Sequence, residues 1–177
     1  MMRIVPHLFI ALFLSLVETS FFASFHGLIR FTPFVFVISV YLVQHHAMKP
    51  AAGWMILHGI LLDLSGGSLV PFVTLAYTLT AIVAILSAER LFSNRSFYGV
   101  IACTFLSYGT FAVSSLALEW IGAFIQKAHF SWGIFFTDAW AHLLTMMLFL
   151  VFLYSFAKQI RFLLVRAHLL PPSRQTY

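Results

Sequence analysis

Apolar runs alternate with short polar breaks along the whole chain, and the runs dominate its layout. They cover residues 4–23, 31–43, 51–64, 69–88, 97–118 and 131–157. A helix rises about 1.5 Å per residue, so about 20 apolar residues bridge a hydrocarbon layer of about 30 Å. A helix also satisfies its own backbone in lipid, where water cannot. The pattern predicts an all-α integral membrane protein with one domain, a compact bundle of about six transmembrane helices. The runs 31–43 and 51–64 are short for a full crossing and need flanking residues or shielding by neighbours. Pro33 stands near the start of the second run, where a missing amide costs nothing. No internal repeat or low-complexity tract stands out.

Composition closes off other classes. The chain has 177 residues, 62% hydrophobic and 8% charged, against about a quarter charged in soluble domains. It cannot cover a water-facing surface, and no room is left for a separate catalytic or nucleic-acid-binding module. The net charge of +5 therefore reports orientation rather than nucleic acid as a partner. Arg3, Lys49, Arg90, Arg95, Lys158, Arg161, Arg166 and Arg174 fall on one side of a six-span layout, and only Arg30 and Lys127 on the other. Both termini are expected in the cytoplasm, with residues 158–177 as a basic tail that meets anionic lipid or a cytoplasmic partner. His45, His46 and Lys49 form a further basic corner there. The first 20 residues have the look of a signal peptide, but Glu18 interrupts the cleavage zone, so they read as the first span. Cys103 is the single cysteine and has no metal-type spacing around it.

Small residues recur at every fourth position in three segments: Ala11, Ser15, Thr19 and Ala23; Ala76, Thr80, Ala84 and Ala88; Gly99, Cys103 and Ser107. That spacing lines one helix face and lets helices approach closely in lipid. The stripes Ala11, Ser15, Thr19 and Ala76, Thr80, Ala84 are candidate docking faces, either inside this chain or against another membrane protein.

Ionisable residues inside the spans are costly and so informative. On straight helices, Glu18, Asp63 and Asp138 lie about 9, 12 and 10 Å below the outer membrane face. His142 follows Asp138 by four residues on the same helix face. These four form an expected outer polar layer, which either locks the bundle, with Asp138, His142 and Glu18 satisfying one another or capping backbone groups, or forms a ligand or proton site. His58 lies deeper and reads as a neutral hydrogen-bond partner. Glu119 and His129 read as interfacial. Asp63 precedes Ser65-Gly66-Gly67-Ser68; the glycines end a helix, and the aspartate and serines are placed to bond freed backbone groups at the turn. Enzyme motifs are missing: there is no nucleophile elbow, phosphate-cradling loop or His-Glu-x-x-His pair. No catalytic residue, cofactor or metal is expected, since Asp138 and His142 alone make a weak ligand pair.

Gly59-Ile60-Leu61-Leu62-Asp63, followed by Gly67 and a small-rich helix containing Tyr77, resembles the hallmark hairpin of the rod shape-determining protein MreD family. The upstream RFTPFVFVISVYLVQ, residues 30–44, resembles that family's second span. The resemblance covers Arg30 to Ala84 and beyond that only hydropathy. Pro71 stands where the family commonly has glycine. The resemblance implies a non-catalytic scaffold of the bacterial cell-elongation complex in the cytoplasmic (inner) membrane, supporting peptidoglycan synthesis and cell shape. Gly59, Asp63, Gly66 and Gly67 would shape the hairpin. The implied partners are membrane lipid and an MreC-like bitopic protein, and through it an MreB-like filament and a peptidoglycan synthase. A different class also fits the pattern: the substrate-binding membrane subunit of a vitamin-type (energy-coupling factor) importer, whose first helix often carries small residues every fourth position. In that class the outer polar layer would hold a ligand.

Overall fold

The computed structural model of the chain describes residues 4–44, 48–66, 70–92, 97–127, 129–156 and 159. Six α-helices succeed one another: α1 (Ile4–Leu16), α2 (Phe34–Gln44), α3 (Met48–Gly66), α4 (Phe72–Arg90), α5 (Phe97–Gln126) and α6 (Trp132–Ser155). Among the described residues there is no strand. Gly67, His45, His46, Arg95 and all of the basic tail but Gln159 lie outside the described residues.

The helices depart from the apolar runs where polar chemistry intervenes. The first run winds as α1 only to Leu16, then as a π turn over Val17–Phe21 and a 3-10 turn over Phe22–Ser24. A π turn carries an extra residue and frequently marks a functional site; this one carries Glu18. Helix α3 starts earlier than its apolar run, at Met48, and α5 runs on to Gln126, taking Glu119 into the helix.

Three helical segments are long and apolar enough to cross a membrane: Phe72–Arg90, Phe97–Ile125 and Trp132–Ser155. Their outward residues are large and apolar, among them Leu75, Leu79, Ile82 and Leu86 on α4 and Leu144, Leu148 and Val151 on α6. Helices apolar on their outer faces as well suit lipid, not water. Among the described residues the fold is thus all-α, and its length and composition suit a membrane protein. Helix α2, with 11 residues, spans only about 16 Å. It tolerates this because it touches all five other helices. Val35, Val37, Val40 and Leu42 on it are fully buried.

Helix α4 packs most extensively on α3 and α5. The small-residue stripes make this possible. Ala76, Thr80 and Ala84 are all fully buried, as are Cys103 and Ser107 on α5, and the Cys103 Sγ lies 3.8 Å from the Ala84 carbonyl oxygen. On α1, Ala11 and Ser15 are buried while Thr19 is half-buried. Ala76, Thr80 and Ala84 thus dock α4 on helices of this chain, whereas Thr19 keeps part of its surface open.

Candidate functional site

Helix α2 begins inside the bundle, at the buried Pro33 and Val35, and α4 begins at its partly exposed edge, and each poses the same physical problem. The first amides of a helix have no partner within it, and an unsatisfied backbone group in a lipid-embedded core costs several kcal/mol. Both starts share a local sequence, Thr32-Pro33-Phe34-Val35 and Val70-Pro71-Phe72-Val73. At Pro71 the backbone has φ −78° and ψ 59°, an inverse γ-turn, in which the Phe72 N–H donates to the Val70 carbonyl at 2.8 Å. Phe34 donates likewise to Thr32 at 3.0 Å. Proline supplies no amide of its own, and its carbonyl accepts the first helical bond, from Val37 to Pro33 and from Leu75 to Pro71, both at 3.1 Å.

The next amides are taken by carboxylates from other helices. Asp63 Oδ1 accepts from the Val73 amide at 3.1 Å, and Oδ2 accepts from the Thr74 amide at 2.7 Å and the Thr74 hydroxyl at 2.6 Å. Glu18 Oε2 accepts from the Val35 amide at 2.8 Å. Each carboxylate thus sits at a helix N-terminus, where the backbone dipoles favour negative charge. This accounts for a buried aspartate just ahead of a helix break. Asp63 is only 8% exposed, and among the described residues the start of α4 meets its charge. Gly59 lets the two helices close up: a Cβ there would stand 2.8 Å from Thr74 Cα. Gly66 ends α3 with open space around it. Ser65 turns back on its own helix, donating to the Leu62 carbonyl at 3.0 Å.

Glu18 has a second partner, which linear spacing does not reveal. His58 Nε2 lies 3.3 Å from Glu18 Oε1, and His58 Nδ1 lies 3.1 Å from Ser15 Oγ. With a neutral imidazole protonated on Nε2, Ser15 donates to His58 and His58 donates to Glu18, so each group is satisfied. The edge of this triad faces Tyr77, 5.3 Å from His58 between ring centroids.

Beside Glu18 lies a cavity of about 330 Å³, lined on different helices by Thr19, Arg30, Phe36, His58, Tyr77, Tyr108, Phe111 and His142. Tyr108 donates from its hydroxyl to the Ala139 carbonyl at 2.7 Å, joining α5 to α6. A second cavity of about 280 Å³ shares Tyr108, Phe111 and His142 and is bordered by Glu119 and Asp138.

The expected polar layer is thus partly assembled and differently paired. Glu18 and His142 line one cavity, and Asp138 and His142 line its neighbour. Asp63 borders neither; it belongs to the hairpin. The partner of Glu18 is His58 and the Val35 amide, not the Asp138–His142 pair. His58, expected as a hydrogen-bond partner, joins this layer through its contact with Glu18. Among the described residues, no three His, Cys, Asp or Glu side chains gather as a metal site. The recurring Pro-Phe-Val, each with a carboxylate upstream, is the sequence signal that identifies both caps.

No protein-family model, curated protein or solved structure matches the chain.

Proposed function

We propose that the chain is a non-catalytic scaffold of a bacterial cell-elongation complex, akin to the MreD family, in the cytoplasmic membrane. The observation that carries this reading is the α3–α4 hairpin. Its resemblance-bearing residues have a physical task each: Gly59 admits the Thr74 backbone, and Asp63 holds the start of α4 through three hydrogen bonds. A hairpin pinned at both levels is a rigid surface, as a scaffold needs. The lipid-facing sides of α4, α5 and α6 supply apolar area for lateral association. In this reading six helices cross the membrane with both termini in the cytoplasm. An MreC-like bitopic protein is the neighbour, linking to an MreB-like filament and a peptidoglycan synthase. Since Ala76, Thr80 and Ala84 are buried inside the chain, docking on α4 uses its outer face instead.

The test is photo-crosslinking from Leu75, Leu79 and Leu86 positions in native membranes, combined with depletion of the chain. Recovery of a bitopic MreC-like protein and rounding of rod-shaped cells are the expected results. Crosslinks to lipid alone, with cell shape intact after depletion, would overturn the proposal. A second reading, the substrate-binding subunit of a vitamin-type importer, is favoured by one observation, the polar cavity beside Glu18; it requires co-purification with an ATPase pair.

A further inference from the structure

We propose that the cavity beside Glu18 binds a small organic cation, an amine or quaternary ammonium group, with Glu18 as counter-ion and aromatic rings as the wall. This goes beyond the scaffold reading and does not rest on it. The volume of about 330 Å³ is at the small end for ligand sites. Phe36 anchors the wall, with its ring centroid 6.4 Å from Tyr77, 6.2 Å from Tyr108 and 6.3 Å from Phe111. All four rings line the cavity, and aromatic faces attract cations through their quadrupole.

Glu18 supplies the charge. Its side chain keeps 15% exposure, and among the described residues the Val35 amide and His58 use two of about four lone-pair positions on the carboxylate. The chemistry disfavours an anion. Both His58 nitrogens are occupied, by Ser15 and Glu18. Arg30, the one Lys or Arg lining the cavity among the described residues, is solvent-exposed, with its guanidinium carbon 5.9 Å over the Phe31 ring. Beyond the shared wall of Tyr108 and Phe111, Glu119 and Asp138 add further negative charge. A cation held here would meet a carboxylate and an aromatic lining in one partly desolvated space, where such contacts strengthen.

The experiment is calorimetric titration of the full-length purified protein in lipid nanodiscs with choline, and with 3,3-dimethyl-1-butanol, its neutral isostere. Choline should bind saturably, and the alcohol about tenfold more weakly or worse. Glu18→Gln keeps an acceptor for the Val35 amide but removes the charge, and should weaken choline about tenfold. Phe111→Leu removes one ring face without touching a side-chain hydrogen bond, and should weaken choline about fivefold. This second variant keeps the test decisive if the first does not fold. Absence of saturable choline binding, equal binding of the alcohol, or unchanged affinity in Phe111→Leu would overturn the proposal.

Discussion

Replacing Asp63 with asparagine isolates the capping charge with almost no change in volume. The wild-type carboxylate receives three hydrogen bonds, at 3.1, 2.7 and 2.6 Å. The asparagine oxygen can keep the two from Thr74, but its NH₂ group then faces the Val73 N–H, donor against donor. A buried donor left without a partner costs about 1–3 kcal/mol. The lost interaction of negative charge with the α4 N-terminus adds about 1 kcal/mol, up to about 2 where burial is substantial. Asp63→Asn should therefore destabilise the protein by about 3 kcal/mol. The assay is reversible unfolding in mixed micelles, with Ser65→Ala as control. Ser65 is exposed and, among the described residues, its hydroxyl bonds within α3, so its loss should fall within about 0.5 kcal/mol. An Asp63→Asn variant as stable as wild type would refute the capping argument, as would an equal loss in both variants.

Three further substitutions probe other parts of the bundle by the same assay. Gly59→Ala places a Cβ 2.8 Å from Thr74 Cα and should cost about 1–3 kcal/mol, whereas Gly53→Ala meets nothing within 4 Å and should be neutral or stabilising by up to about 1 kcal/mol. His58→Phe keeps an aromatic ring but strands Ser15 and one Glu18 oxygen, and should cost about 2–4 kcal/mol; His58→Gln should recover part of that loss. Ala84→Leu overfills the fully buried α4–α5 contact and should cost about 1–3 kcal/mol or more.

The helical elements were legible because lipid solvation imposes a simple rule, and the apolar runs obey it. The rule says nothing of where a helix begins within a bundle, so the edges shifted. Glu18 rides a π turn, α2 starts at Phe34 behind Pro33, and α5 absorbs Glu119. The asymmetry between the two carboxylates follows from distance along the chain. Asp63 is 10 and 11 residues from its amide partners, within reach of a hairpin argument. The His58–Ser15 contact joins residues 43 apart on different helices, a pairing that spacing along one helix does not reveal. The small-residue stripes were legible as docking faces, but periodicity cannot distinguish a neighbour within the chain from one outside it. Burial of Ala76, Thr80 and Ala84 makes that distinction.

The central physical claim is that Glu18 and Asp63 are retained in an apolar bundle because each closes the open N-terminus of a neighbouring helix. Residue-resolved amide hydrogen exchange in nanodiscs tests it directly, comparing wild type with Glu18→Gln and Asp63→Asn. Val35, Val73 and Thr74 should be protected in the wild type. Glu18→Gln should accelerate exchange at Val35 alone, and Asp63→Asn at Val73 first, each leaving the other helix start unchanged. Rapid wild-type exchange at these three amides, or protection indifferent to either substitution, would contradict it.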